Sequence, residues 1–262
     1  MKSIFTFFKI ALVLLILATS GKIFAQAPHV ILHNGTSATI SPSGYTFSAN
    51  DEVYWSETYN NGTTTTGPTE KAALVYNAAN LSATSLTVTT ADGPGLHTYT
   101  MRVKSGSTGC YSDASAPKTV FILPATTVAF NAPLDDSYCE NVGSPSKTIT
   151  ATATPAIPLL PDGIGYKYTW SATKNAVAVS PLSSIGTLTA ASGTTVRDMS
   201  SIFTMTSDSP GEYIFTVNVE YFKLSDNANI VKLGATPTSF ATTLPKKITI
   251  HAKPTQPTIT IL

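Results

Sequence analysis

Charged residues are scarce in this chain. Lys, Arg, Asp and Glu make up 12% of its 262 residues, with 16 basic against 15 acidic side chains. The only arginines are Arg102 and Arg197, and Lys246-Lys247 is the only adjacent basic pair. Because nucleic-acid binding depends on clustered cations that neutralise phosphates, the sequence argues against nucleic acid as a partner.

The residue types that most often bind metals or act in catalysis are also few. The chain has four histidines and two cysteines, and no G-x-S-x-G motif. His29 and His33 are four residues apart on a predicted first strand, a separation of about 13 Å at strand rise, which is too long for one metal ion. We therefore expect no metal, no cofactor and no enzymatic activity.

Two adjacent pairs of acidic residues are the main candidates for carboxylate chemistry. Asp51-Glu52 precedes a predicted strand, and Asp135-Asp136 lies in a predicted linker. A glycoside hydrolase needs two carboxylates that converge on a cleft, and nothing in the sequence brings these pairs together. We expect both pairs to form turns, with a weak calcium site at Asp135-Asp136 as the alternative.

The N-terminus carries the features of a secretory signal peptide. Lys2 and Lys9 precede an apolar run at residues 10–18, and small residues lead to Ala25. The alternative, a membrane anchor, needs about 20 apolar residues. We predict a signal peptide at residues 1–25 and a secreted or surface-located mature chain without a transmembrane span. That mature chain has a net charge of −2.

The rest of the chain has the composition and periodicity of strands. The full sequence contains 42 threonines, 16 glycines and 17 prolines, which favour strands and turns over helices. Polar and apolar residues alternate at residues 85–89, 99–103 and 148–153, as they do on strands with one buried face. The predicted class is all-β, built of antiparallel sandwiches.

An internal repeat divides the mature chain. Residues 90–103 match residues 206–219 at an offset of 116, and the only two tryptophans, Trp55 and Trp170, match at an offset of 115. Internal similarity of this kind indicates repeated structural units.

The repeat continues to the end of each copy. Residues 117–122 match residues 245–250 at an offset of 128, so the second copy has gained 12 residues. We predict one sandwich at residues 26–124 and another at 125–253. Residues 254–262 are then the start of a further repeat, or a tail.

Both copies carry the same two sequence features. A tryptophan is followed about forty residues later by Asp-x-x-Gly-x-(His/Tyr), which places Trp55 with His97 and Trp170 with Tyr213. This pattern resembles the strand C tryptophan and the tyrosine corner of immunoglobulin-like domains. The resemblance implies tandem immunoglobulin-like sandwiches, with His97 as a hydrogen-bonding substitute for tyrosine.

The resemblance departs from antibody domains at the core cysteines. Tyr99 and Phe215 stand two residues after the corner, where such domains have their second core cysteine. The resemblance implies that each tryptophan packs on an aromatic ring in place of a disulfide.

The two cysteines extend the resemblance to a narrower group. Cys110 follows Gly109, and Cys139 precedes Glu140, in contexts similar to Ig-like/PKD-like repeats of exported Bacteroidota surface proteins of the gliding-motility and adhesin type. In that group the modules are non-catalytic spacers or adhesive units in long arrays. The resemblance implies a Cys110–Cys139 disulfide across the linker; the alternative is two unpaired thiols.

Two loop regions are candidates for ligand binding. Tyr59, Asn60 and Asn61 begin one polar loop, and Tyr221 and Phe222 begin another; aromatic and amide side chains of this kind suit a sugar. We expect an exported, non-catalytic spacer or adhesion protein, the first part of a longer array, with extracellular glycans or surface proteins as partners. The alternative is a pair of carbohydrate-binding modules attached to a downstream catalytic domain.

Overall fold

The computed structural model describes residues 29–78, 81–140, 147–157, 160–189, 199–224, 229–235 and 238–257. The predicted signal peptide and residues 258–262 lie outside this part of the chain. Across the described ranges, no helix has the length and apolar character needed to cross a membrane.

Eight strands form the first sandwich. They are β1 (Val30–Leu32), β2 (Ser37–Ile40), β3 (Glu52–Asn60), β4 (Thr65–Glu70), β5 (Leu74–Val75), β6 (Leu86–Thr89), β7 (Gly95–Lys104) and β8 (Lys118–Ile122). One sheet has the order β1-β8-β7-β3-β4, with β5 also pairing β3, and the other consists of β2 and β6. Short 3-10 helices at Leu81–Thr84 and Thr90–Asp92 flank β6.

The remaining strands form the second sandwich, apart from one that joins the first. They are β9 (Thr126–Phe130), β10 (Asp135–Cys139), β11 (Lys147–Pro155), β12 (Ile164–Lys174), β13 (Val177–Ala178), β14 (Gly186–Thr189), β15 (Ser200–Met205), β16 (Gly211–Lys223), β17 (Ile230–Lys232), β18 (Ser239–Ala241) and β19 (Lys246–His251). A 3-10 helix spans Leu182–Ser184. The sheets have the orders β14-β15-β11-β9 and β10-β19-β16-β12-β13, and β18 lies beside β16.

The strand pairing confirms the predicted all-β class of tandem immunoglobulin-like sandwiches. The central pairs have equivalent registers, since Trp55 lies opposite Met101 on β3 and β7, and Trp170 lies opposite Val217 on β12 and β16. The sheets are not purely antiparallel, however. β1 runs parallel to β8, the last strand of the first sandwich, and β10 runs parallel to β19, the last strand of the second.

Each tryptophan lies in a separate apolar core and satisfies its polar atom. The indole nitrogen of Trp55 donates to the Thr84 carbonyl at 3.0 Å, and that of Trp170 donates to the Ser201 hydroxyl at 3.0 Å. A buried indole requires such a partner. The alternation predicted from sequence therefore places one tryptophan inside each sandwich.

A strand of the second sandwich completes a sheet of the first. β17 pairs in parallel with β1, with Ile230 opposite Val30 and Lys232 opposite Leu32. It lies within the segment that the second repeat has gained. The Lys232 carbonyl accepts from the His33 backbone N–H at 2.9 Å, and the Lys232 ammonium donates to the Ser37 carbonyl at 2.8 Å.

The joint between the two sandwiches is also apolar. Four buried side chains of the first sandwich belong to the core cluster of the second: Ile31, Leu96, Phe121 and Leu123. They point out of the β1-β8-β7 sheet, away from the first sandwich's own core. The two sandwiches therefore meet through main-chain pairing and through a shared hydrophobic contact, which we call the joint.

Candidate functional site

The corner histidine and the corner tyrosine make equivalent contacts. The Tyr213 hydroxyl donates to the Ser209 carbonyl, four residues upstream, at 2.8 Å. In the first sandwich the His97 Nε2 lies 2.9 Å from the Gly93 carbonyl, also four residues upstream. An imidazole nitrogen thus occupies the place of a phenol, and both side chains tie the start of a strand to the turn before it.

A partly buried carboxylate, that of Glu57, bonds to the corner histidine and to two of its neighbours. The Glu57 carboxylate lies 2.7 Å from His97 Nδ1 and accepts from the Tyr99 hydroxyl at 2.8 Å and from Lys71 at 2.8 Å. Both nitrogens of the His97 ring lie within hydrogen-bond distance of an acceptor, the Glu57 carboxylate and the Gly93 carbonyl.

Glu57 is therefore held in its ionised form. Burial alone raises the pKa of Glu57, but hydrogen bonds from Lys71, His97 and Tyr99 outweigh it and lower the pKa to about 2. Both ring nitrogens of His97 are thus engaged within this cluster. The cluster has the geometry of a structural tie.

The aromatic residues that replace the core cysteines lie inside the two cores. Tyr99 shares a buried cluster with Trp55. In the second sandwich the rings form a chain, with Trp170 at 5.8 Å from Phe203 and Phe203 at 5.4 Å from Phe215. Trp170 therefore reaches Phe215 through an intermediate ring.

The placement of the cysteines corrects the expected disulfide. Cys110 and Cys139 are free, exposed thiols. β7 starts at the joint, where Gly95 lies opposite Ile122, and its ten residues carry the chain about 30 Å away before Cys110. Cys139 ends β10 beside His251, at the other extreme of the second sandwich. A disulfide requires Cα atoms within about 7 Å.

The second predicted ligand loop is largely core. Tyr221 is 2% exposed, and its hydroxyl donates to the Pro124 carbonyl at 3.1 Å and lies 2.7 Å from the Thr126 hydroxyl. The neighbouring Phe222 ring lies over Gly165, where an added Cβ would stand 2.8 Å from it. The expectation that Tyr221 contacts ligand is therefore wrong, because β16 extends through it into the joint.

The first predicted ligand loop is a hairpin turn. The Asn60 side chain accepts from the Gly62 backbone, and the Asn61 side chain accepts from the Thr63 and Thr64 backbones. The Tyr59 hydroxyl donates to the Pro94 carbonyl at 2.8 Å. These side chains use their polar atoms to shape the turn between β3 and β4.

The acidic pairs have structural partners. Asp51 is 1% exposed and accepts from the backbone N–H groups of Ser48 and Gly106, which lower its pKa. Asp135 and Asp136 begin β10 and do not form a linker turn, contrary to the prediction. The described residues contain no group of three or more His, Cys, Asp or Glu side chains placed to hold a metal ion.

A different surface of the first sandwich brings aromatic and charged side chains together. Tyr54 and Arg102 lie opposite each other on the outer face of β3 and β7. The Tyr111 ring is 5.5 Å from the Tyr54 ring, and the Arg102 guanidinium lies 5.5 Å from the Tyr111 ring centre. Val75, on β5, lies beside them on the same sheet. We call these four residues the tyrosine patch.

Two ion pairs border the tyrosine patch. Arg102 binds Glu70 at 3.0 Å, and Lys104 binds Glu52 at 3.0 Å. The Tyr54 hydroxyl donates to Glu52 at 2.6 Å; this bond and the one from Lys104 lower the pKa of Glu52. Two cations and two anions leave the surface with no net charge, while each pair remains partly exposed.

The loop between β7 and β8 positions Tyr111. Residues Ser112 and Ser115 donate from their backbones to Val103 and Met101, so the loop runs back along β7. Gly106 allows the tight turn, because a Cβ there would stand 2.5 Å from the Asn50 carbonyl oxygen. Tyr111 therefore lies over the sheet in place of extending into solvent.

Sequence reasoning had one signal for this patch. The strand alternation that buries Trp55 also turns Tyr54 outward. The loop that brings Tyr111 to the same face depends on the close approach of Gly106 to Asn50, which is distant in sequence. That contact has no local pattern.

No family model and no curated protein matches this chain. Solved structures that it is similar to include the fibronectin(III)-like modules of Clostridium thermocellum CbhA, at 15% identity over 87% of this chain and 93% of that one, with a TM-score of 0.28. A marsupial T cell receptor is similar at 11% identity over 87% of this chain and 72% of that one, with a TM-score of 0.36. The D00-D0 domain of Intimin is similar at 13% identity over 82% of this chain and 96% of that one, with a TM-score of 0.30. The fold description above rests on the strand order of this chain itself.

Proposed function

We propose that this protein is an exported, non-catalytic surface protein whose two immunoglobulin-like sandwiches form a stiff spacer. The joint carries the proposal. Domains of one chain ordinarily move relative to each other unless their interface is large and apolar. Here the interface combines the β1–β17 pairing with four buried apolar side chains, which together resist bending.

Residues 123–125, between β8 and β9, also favour a stiff connection. The Leu123 backbone donates to the Leu32 carbonyl at 2.9 Å, and the Pro124 carbonyl accepts from Tyr221. A connection this short, bonded to both sandwiches, leaves little freedom for rotation. The free end of the first sandwich, which carries the tyrosine patch, is then held away from the second.

A scattering experiment on residues 26–262 tests the spacer. We expect one elongated conformation to fit the solution X-ray scattering curve. Replacement of Ile230–Lys232 by Gly-Ser-Gly removes the added strand side chains, and the curve should then require an ensemble of inter-sandwich angles. Wild-type scattering that already requires such an ensemble would contradict the proposal.

Export is proposed from the N-terminal segment, and it has its own test. Expression in a bacterial host with both membranes intact, followed by intact-mass measurement of the exported protein, should give an N-terminus at Gln26. Retention of residues 1–25 on the mature protein would contradict cleavage after Ala25 and favour the anchor alternative.

Carbohydrate binding is the second candidate function, and one observation favours it. The Tyr59 and Tyr221 hydroxyls bond to backbone carbonyls, whereas the tyrosine patch presents rings beside exposed ion pairs. This candidate therefore concerns the first sandwich, and a symmetrical pair of modules is not what the surfaces support. Further repeats after residue 254 and a downstream catalytic domain remain part of the proposal for a longer array.

A further inference from the structure

The tyrosine patch presents exposed aromatic and aliphatic side chains to solvent in the part of the chain that the structure describes. Tyr111 is 53% exposed and Val75 is 52% exposed, whereas Tyr54 is half-buried beneath them. Exposed aromatic rings on a sheet face are costly for solubility unless they are used. The rest of that face of β3 and β7 carries Ser and Thr side chains such as Ser56, Thr58 and Thr100.

The charges around the patch define what it can bind. Glu52, Glu70, Arg102 and Lys104 neutralise one another in pairs, so the patch does not attract an anion or a cation by long-range electrostatics. Each pair still has unused lone pairs or N–H groups directed to solvent. A neutral ligand rich in hydroxyl groups is able to bond to both members of such a pair.

The size of the patch also limits its occupant. A stable protein interface buries more than about 1,000 Å² with an apolar centre, and the patch offers one tyrosine ring, one valine and the edge of a second ring. A sugar unit has an apolar C–H face of about the size of one aromatic ring and a rim of hydroxyl groups. The patch matches a sugar in area and in polarity.

We propose that the tyrosine patch is a binding site for a neutral polysaccharide, with Tyr111 stacking on a sugar ring and with Arg102–Glu70 and Glu52–Lys104 bonding its hydroxyl groups. The inference deepens the second candidate function above by naming its site and its class of ligand. It places the site on the first sandwich alone.

The second sandwich supplies an internal comparison. At the repeat offset, Tyr54 and Arg102 correspond to Thr169 and Asn218, which form the equivalent cross-strand pair. The ring and the guanidinium are both absent there, so Tyr54→Thr gives the first sandwich the side chain that the second already tolerates. This variant is expected to fold.

Affinity electrophoresis of residues 26–262 tests the proposal, with the gels containing cellulose derivatives, xylan, mannan or polygalacturonate. We expect retardation by at least one neutral polymer that persists in 0.5 M NaCl. Tyr111→Ala should weaken it about tenfold, which corresponds to about 1.4 kcal/mol, and Tyr54→Thr should weaken it as well. Tyr111→Phe, which keeps the ring, should retain binding.

The control variant is Val177→Ala, an exposed apolar side chain on the second sandwich, which should bind as the wild type does. Retardation by no neutral polymer, retardation only by polygalacturonate, or equal retardation of Tyr111→Ala would each overturn the proposal. Because none of these substitutions touches the joint, the scattering test of the spacer would be unaffected by that result.

Discussion

The two sandwiches share a framework of central strands and differ in the side chains on their outer faces. In the first, the outer face of the central strands carries Tyr54 beside Arg102; in the second, the matching positions are Thr169 and Asn218. The inward tryptophans are identical, and the registers around them match. The tryptophan position is thus the same in the two cores, whereas these two outward positions differ.

The corner shows the same divergence in the interior. Tyr213 satisfies its single hydroxyl on one carbonyl, whereas His97 has a second polar atom to satisfy and does so with Glu57. A histidine at the corner therefore requires a carboxylate beneath it. The second sandwich, with tyrosine at the corner, has Ala172 at the position equivalent to Glu57, and Ala172 is buried.

The largest effect should come from emptying the core of the second sandwich. Phe215 is fully buried against Phe203, and Phe215→Ala should lower the free energy of unfolding by about 3–5 kcal/mol because it leaves a cavity. Urea denaturation followed by tryptophan fluorescence measures it. The control Val177→Ala should change stability by less than about 0.5 kcal/mol. Equal effects of the two would contradict the core assignment.

A smaller effect should come from Glu57→Gln in the first sandwich. Loss of the charge-assisted bonds should cost about 2 kcal/mol at pH 7. Because the folded pKa of Glu57 is about 2, below the value of 4.5 of a free side chain, its contribution is present above about pH 4.5 and is lost as the pH falls toward 2.

Urea denaturation of both proteins at pH 7, 4 and 3 checks this prediction. The stability difference between wild type and Glu57→Gln should shrink as the pH falls. Glu70→Gln, which removes an exposed pair with Arg102, serves as the control and should cost less than about 1 kcal/mol. A Glu57→Gln effect that is independent of pH would break the comparison between the two corners.

The smallest effect concerns the joint. His33 is 8% exposed, its Nε2 has no hydrogen-bond partner among the described residues, and its ring lies 5.1 Å from that of Tyr221. Burial lowers the pKa of His33 from 6.5, so the neutral form stabilises the joint above about pH 6.5, and this contribution falls as the pH drops below that value.

The His33→Phe variant isolates that contribution. Thermal unfolding of wild type and variant between pH 7.5 and 5 should show a decrease in the stability of the wild type that the variant lacks. His29→Phe, at the residue before β1, is the control. Parallel pH profiles for wild type and His33→Phe would show that the joint does not depend on this ring.

Sequence reasoning reached the class and the repeat because both rest on local patterns. Strand alternation and the tryptophan and corner motifs are short-range signals, and each lies where the strands require it. Three other features depend on how segments distant in sequence meet. They are the tyrosine patch, the burial of Tyr221 and the separation of Cys110 from Cys139. The gained segment in the second copy was visible as an offset of 12 residues, but its partner strand was not.

The β1–β17 pairing makes the order of synthesis important. β1 is the first strand of the described residues, and the Thr36 hydroxyl after it donates to the Lys232 carbonyl, 196 residues later. During synthesis, which proceeds from the N-terminus, the first sandwich is complete except at this edge. An open sheet edge is a template for pairing with other chains, and a contact of such sequence separation forms late. By supplying β17, the second sandwich covers this edge of the first within the same chain. Truncation before Ile230 leaves the edge open to pair with other chains.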